Sequence, residues 1–128
     1  MTTVSICDAA VNEFAKKYLD FKYIALDSST TPYVVTQSAP ISELTTNGAA
    51  RAQASASHDS ETGVVTMTKQ FVFTGTASVK AVCPMNSPSA GQGIGLYRYL
   101  PPDGVLPDTF DAGGSLLVSI TLSAARPA

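Results

Sequence analysis

The chain has 128 residues, 45% of them hydrophobic and 14% charged, and a net charge of −2. That length supports one domain with its own core, while Lys and Arg are scattered, only Lys16 and Lys17 being adjacent, which excludes the cation clusters that nucleic-acid phosphates require. No apolar run approaches the roughly twenty residues that span a bilayer, and no basic start with an apolar centre marks a signal peptide, so the sequence predicts a product made and used in a cytoplasm, or assembled there into something larger.

Residues 5–20 predict the one good helix. Ser5 with Asp8 resembles a capping box. Ile6, Ala10, Phe14 and Tyr18 fall on one face, joined by Cys7, Val11 and Ala15. Residues 21–26 change to aromatic and branched side chains, a strand. A polar loop over 27–32 leads to a short edge strand at 33–36. Residues 40–48 form a loop or a single helical turn around Ile41 and Leu44. Then Ala50, Ala52, Ala54 and Ala56 alternate with Arg51, Gln53, Ser55 and Ser57. After a turn of Asp59, Ser60, Glu61, Thr62 and Gly63, the residues Val65, Met67, Phe71 and Phe73 alternate with Thr66, Thr68, Gln70 and Thr74. Two period-two runs across an Asp/Ser/Gly turn predict a β-hairpin with one buried face. The alanine face would let another layer approach closely.

Residues 77–83 alternate again, with Val79, Ala81 and Cys83 opposite Ser78, Lys80 and Val82. The stretch 84–95 is rich in Pro, Ser and Gly and reads as a loop, too irregular for an interior strand. Residues 94–100 predict a strand with Tyr97 and Tyr99 on one side and Leu96 and Arg98 on the other. Pro101, Pro102, Asp103, Gly104 and Pro107 break it, and the following loop carries Phe110. Residues 115–123 close the domain as an apolar strand with Leu116, Val118, Ile120 and Leu122 on one face, ahead of a tail at 124–128. Together these elements predict a mainly β protein, an antiparallel β-sandwich or open barrel of about seven strands with one N-terminal α-helix.

Chemistry-bearing residues are sparse. His58, the single histidine, lies beside Asp59 and Glu61 like a base with an orienting acid, but no nucleophile is near it in sequence, so a solvated turn is the preferred reading and a small ligand-binding or hydrolytic β protein using His58 the remote alternative. One His and two distant Cys lack zinc-ligand spacing. Cys7 and Cys83 read as small buried hydrophobes rather than a disulfide. Asp103, Asp108 and Asp111 share a loop with Gly104 but do not match a calcium-binding spacing. Gly91, Gly93 and Gly95 enter a strand rather than open a helix, and no Lys follows, which removes the phosphate-loop geometry. Tyr97, Arg98 and Tyr99 could stack on a base or sugar, although aromatics at period two are what a sheet face uses for packing. The expectation is therefore a protein that is not an enzyme, with no cofactor and no metal. A surface poor in charge and rich in Ala, Ser and Thr suits a protein packed against neighbours. Phe14, Tyr18, Tyr97, Tyr99 and Phe110 are the expected partner contacts.

Several segments also carry a family resemblance. Tyr23-Ile24-Ala25-Leu26 is followed by Thr30-Thr31-Pro32, Glu43-Leu44 and Asn47-Gly48-Ala49-Ala50-Arg51-Ala52. Then come Gly63-Val64-Val65, Phe71-Val72-Phe73-Thr74-Gly75-Thr76 and Gly114-Ser115-Leu116-Leu117-Val118. In this order they resemble small tailed-bacteriophage structural proteins of the phage tail fibre-like or capsid decoration type. The resemblance implies a virion structural protein without enzymatic activity. Its expected partner is the major capsid protein or another virion protein, its expected assembly a homo-oligomer with a trimer favoured, and neither nucleic acid nor membrane is expected as a partner. A fibre shaft needs repeated units and this sequence has none, so capsid decoration is preferred over a tail fibre-like or baseplate role. The Cys83-Pro84-Met85-Asn86-Ser87-Pro88 segment and the Pro-rich stretch after Leu100 depart from the family pattern.

Overall fold

The computed structural model describes residues 8–32, 39–59 and 62–123. Helix α1 spans Asp8–Lys16 and continues as a 3-10 helix, Lys17–Phe21. Six strands follow: β1 Tyr23–Asp27, β2 Ala52–Gln53, β3 Ser55–Asp59, β4 Val64–Val72, β5 Ala81–Met85 and β6 Ser115–Ser123. They form two antiparallel three-stranded sheets, ordered β2-β1-β5 and β3-β4-β6. The fold class expected from sequence is thus observed, with six strands where about seven were expected. The edge strand expected at 33–36 lies outside the described residues, as do Ser5, Ile6, Cys7 and the tail 124–128.

The β3–β4 hairpin forms where the alternation predicts it. Asp59 pairs with Val64, and the Gly63 N–H donates to the Asp59 carbonyl at 2.9 Å, with Gly63 at φ 70°. Val65, Met67, Phe71 and Phe73 are buried. β6 then pairs with the whole of β4, from Val64 opposite Ser123 to Val72 opposite Ser115. It presents Val118 and Ile120 to the core. The same core takes Ile24 and Leu26 from β1 and Val82 from β5, so the two sheets enclose one apolar interior in a sandwich-like arrangement. By alternation the reverse face of the first sheet carries Ala25, Cys83 and Met85, a second small cluster.

Four expectations need correction. The alanine run does not keep one buried face. Ala54 is buried and Ala52 half-buried, whereas Ala50 and Ala56 are exposed. The reason is that this run changes sheets at Ala54: β2 pairs with β1 while β3, one residue later, pairs with β4. The helix is shorter than 5–20 in its α-helical part, and its buried stripe is Ala15 with Tyr18 and Leu19, leaving Phe14 exposed. Phe14 and Tyr18, four apart, would share a face of a continuous α-helix, but the chain tightens to a 3-10 helix at Lys17, where residues three apart align instead, and Phe14 falls beside the buried stripe. β5 starts at Ala81 and is buried on both faces, including Val82, which the alternation had placed opposite the buried side.

Pro84, finally, lies inside a strand flanked on both sides. It stands opposite Ile24 of β1, while its carbonyl accepts from Leu96 N–H on the other side at 2.9 Å. In an antiparallel ladder the N–H and C=O of a residue face the same neighbour. The missing donor of Pro84 therefore faces the 94–99 segment, which bridges β5 only at Gly95 and Tyr99. β1 loses no hydrogen bond.

One turn is fixed by a close backbone approach. Asn47 and Gly48 both have positive φ (58° and 80°). A Cβ on Gly48 would stand 2.2 Å from the Val72 carbonyl oxygen. Gly48→Ala is expected to destabilise the fold by more than about 1 kcal/mol, read as a lower urea midpoint with an unchanged slope.

Candidate functional site

The charged groups that look available in the sequence are used to hold loops. Asp27 ends β1 with its side chain fully buried, and Arg98 lies against it at 2.7 Å from Nε to Oδ2. The Arg98 guanidinium also donates to the carbonyls of Thr31 and Ser29. Asp27 accepts three further bonds, each 2.9 Å long, from the backbone N–H groups of Ser29, Ile41 and Ser42. Burial alone raises the pKa of a carboxyl group. Here the N–H of Ser29, the Arg98 guanidinium and the N–H groups of Ile41 and Ser42 outweigh it and hold Asp27 below its ordinary 3.8. This cluster ties Ser29, Thr31, Ile41, Ser42 and the 94–99 segment to the first sheet.

A second pair sits one bridge away, since Asp27 pairs with Glu43. Arg51 binds Glu43 through Nη2 at 2.7 Å and Nε at 2.9 Å, and its Nη1 donates to the carbonyls of Ser87 and Gln92. Gly91 N–H donates to Glu43 at 3.3 Å. The glycine run 91–95, expected to be a flexible loop, is thus clamped by an ion pair whose side chains are almost wholly buried. Each carboxylate is held by its own guanidinium, so the two acids are not arranged for general acid–base work. Beneath them burial, reinforced by the Asp27 carboxylate, pushes the Cys83 thiol up to about 12. Cys83 is a buried, free thiol and carries no thiolate reactivity near neutral pH.

One open groove has mainly apolar walls. Hydrogen bonds link the segment at Tyr99 to β5, β1 and β2, the chain itself crosses at Ala54 into the second sheet, and β3, β4 and β6 follow, so that the two ends of this curled ribbon face one another across the groove. Its volume is about 590 Å³, and its walls are Tyr97, Tyr99, Val105 and Leu106 on one side and β6 from Leu116 to Thr121 on the other. Three large apolar residues on its rim are exposed: Tyr99 at 52%, Val105 at 63% and Leu117 at 66%. This seam, where a closed barrel would have one more strand pair, is the candidate functional site. Burial also raises the Tyr97 hydroxyl pKa, with Cys83 and Tyr99 contributing, so Tyr97 is a neutral wall of the groove.

The expected contact residues do not gather in one place. Tyr97 and Tyr99 share the seam. Arg98, between them in sequence, points the other way into its ion pair, so the three do not form one stacking platform. Phe14 is exposed on α1, and Tyr18 packs against the core. Phe110 is half-buried, its ring stacked on Phe73 at 4.6 Å and its backbone bridged to Ala77.

His58 stands opposite Val65 in the hairpin. Its Nε2 is buried and meets no hydrogen-bond partner among the described residues, so no nucleophile is held on that nitrogen. Asp103, Asp108 and Asp111 stay exposed. Among the described residues no three His, Cys, Asp or Glu side chains gather where a metal ion would sit. Val105 and Leu117 were missed at the sequence level. Leu117 interrupts the alternation of β6 with a second adjacent Leu, which was the available signal. Compared with protein-family models, curated proteins and solved structures, the chain matches none.

Proposed function

We propose that this chain is a non-enzymatic structural protein that binds protein neighbours through apolar surface, and that it decorates the head of a tailed phage by binding the major capsid protein lattice. The observation that carries the binding role is the seam. Its rim exposes Tyr99, Val105 and Leu117 together, while the buried ion pairs Asp27–Arg98 and Glu43–Arg51 are engaged in holding loops. A contiguous apolar rim on a small domain is characteristic of a protein-binding surface, and aromatic residues anchor such contacts. The head assignment is supported by the family resemblance and by the compact, unrepeated build of the domain. The mechanism is adhesive: each copy buries apolar and hydroxyl surface against its neighbours, and many copies multiply a modest contact.

Immunogold electron microscopy of purified particles of the encoding phage, with antibody against this chain, tests the assignment. Gold distributed over the head is the expected result. Gold confined to the tail would move the role to baseplate or host contact, with Tyr97 and Tyr99 but not Arg98 available to a glycan. Unlabelled particles would overturn the virion role.

A further inference from the structure

We propose that β6 is a self-association edge and that the seam receives a second copy of this chain, the two β6 strands pairing antiparallel about a two-fold axis at Ser119. This rests on the reading of the seam as a protein-binding surface and gives the seam to a second copy, which leaves the capsid lattice to other surface of the domain. β6 is the outer strand of its sheet and is nine residues long. It contains neither a charged residue nor a proline. Edge strands ordinarily carry Lys, Pro or a bulge that deters pairing, and β6 has no such charge or proline along its length. The outer strand of the same sheet on the other side, β3, ends in His58 and Asp59.

The open edge is also presented in the right sense. Phe73 N–H donates to the Gly114 carbonyl at 2.9 Å. By the alternation of an antiparallel ladder, Ser115, Leu117, Ser119 and Thr121 then turn their peptide groups away from β4, toward the seam.

The stretch Ser115-Leu116-Leu117-Val118-Ser119-Ile120-Thr121-Leu122-Ser123 is nearly palindromic about its centre. Antiparallel pairing centred on Ser119 sets Val118 opposite the second copy's Ile120 and Leu116 opposite its Leu122 on the core-facing side. On the other side Leu117 meets the second copy's Thr121, and Ser115 its Ser123. A two-fold contact requires a surface to be complementary to itself. Here every position except Leu117, which meets Thr121, meets an identical or similarly shaped residue, and no like charges are opposed. The product is a continuous six-stranded sheet, β3-β4-β6 joined to β6-β4-β3, with about ten new backbone hydrogen bonds.

Size decides the strength. A nine-residue strand is about 30 Å long and a sheet about 10 Å thick, so the edge strip alone presents on the order of 300 Å². A stable contact buries about 800 Å² per partner. The strip therefore has to be joined by the apolar rim of Tyr99, Val105 and Leu106, and the dimer belongs to the small, reversible class. It assembles at the high local concentration of a lattice and dissociates on dilution.

Sedimentation velocity of the full chain, from about 10 μM to about 1 mM, is expected to show monomer passing to dimer, the range set by a contact below standard size. Leu117→Lys, at an exposed position, is expected to weaken the dimer by about tenfold or more by placing two charges at the joined edge. In a Cys7→Ser background, Ser119→Cys is expected to oxidise to a covalent dimer. The two central Cα atoms would lie about 5.5 Å apart, within disulfide reach. Ser57→Cys, exposed on β3, is the control and is expected to stay monomeric. A monomer at every concentration, a trimer, or cross-linking at Ser119→Cys no greater than at Ser57→Cys would overturn the proposal. These results are read on the purified chain, so they are separable from the gold labelling: a monomer that still labels the head removes the dimer and leaves the decoration role standing.

Discussion

Arg98→Met is expected to destabilise the protein by about 3–5 kcal/mol, the cost of removing one partner from a buried ion pair. Neither side chain of the pair meets solvent. The substitution leaves the Asp27 carboxylate buried on its three backbone N–H bonds without a counter-charge, and frees the Ser29 and Thr31 carbonyls that the guanidinium had satisfied. A domain of this size is stable by only about 5–15 kcal/mol, so the melting temperature is expected to fall on the order of 10–20 °C. Lys80→Met supplies the contrast. Its nitrogen lies 3.9 Å from a fully exposed Asp108 carboxylate, and a surface pair of that kind contributes about 0–1 kcal/mol. Equal losses in the two variants, by urea denaturation, would refute the central place given to Arg98.

The pH dependence follows from the same cluster. Asp27 titrates below its ordinary 3.8 in the folded protein, so the unfolded chain takes up the proton first as pH falls. The stability contributed by the carboxylate is full above the ordinary value and is lost as pH drops through the lower, folded one. Because the Arg98 bond acts only on the ionised form, the gap between wild type and Arg98→Met is expected to narrow as pH falls through that range. Asp27→Asn should flatten this acid limb, measured as the midpoint of urea unfolding from pH 2 to pH 6, about two units either side of the ordinary carboxylate range.

Phe73→Ala is expected to cost about 3–5 kcal/mol as well, through a cavity rather than a charge. The ring is 1% exposed and stacks on Phe110 at 4.6 Å. Its backbone bonds Gly114 and Gly113, so the residue joins the end of β4 to the loop that enters β6. Truncation removes the ring that holds Phe110 in place while the backbone bridge between Ala77 and Phe110 remains, which limits collapse into the space. Val72→Ala, one residue earlier and 56% exposed, is expected to change stability by no more than about 0.5 kcal/mol. A large loss at Val72 with little at Phe73 would mean that the burial of this strand is inverted.

The hairpin and β6 were legible because period-two alternation is written within each strand. Val65, Met67, Phe71 and Phe73 need no distant partner to announce which side is buried. The seam was only half legible. Tyr97 and Tyr99 stood out as aromatics at alternate positions, but Val105 lies in a loop broken by proline and glycine, and nothing local brings it to Leu117. Phe110, chosen as a loop contact, is instead engaged by Phe73. Phe14 was placed on the apolar face of a single long helix, whereas the 3-10 segment after Lys16 goes with a buried stripe of Ala15, Tyr18 and Leu19.

Composition and alternation by themselves determined a mainly β domain, its central hairpin and its closing strand, since these depend on the order of apolar and polar side chains over a few residues. The tertiary structure alone decided where the charges went. Asp27 and Arg98 are 71 positions apart and Arg51 and Gln92 are 41 apart, and no local pattern selects such partners. It also decided that the alanine run crosses between sheets, that Pro84 lies in a flanked strand, and that the ribbon stops one strand pair short of closure. Each of these depends on which elements meet in space, and the cost or gain of burying a group depends on what the rest of the chain brings to it.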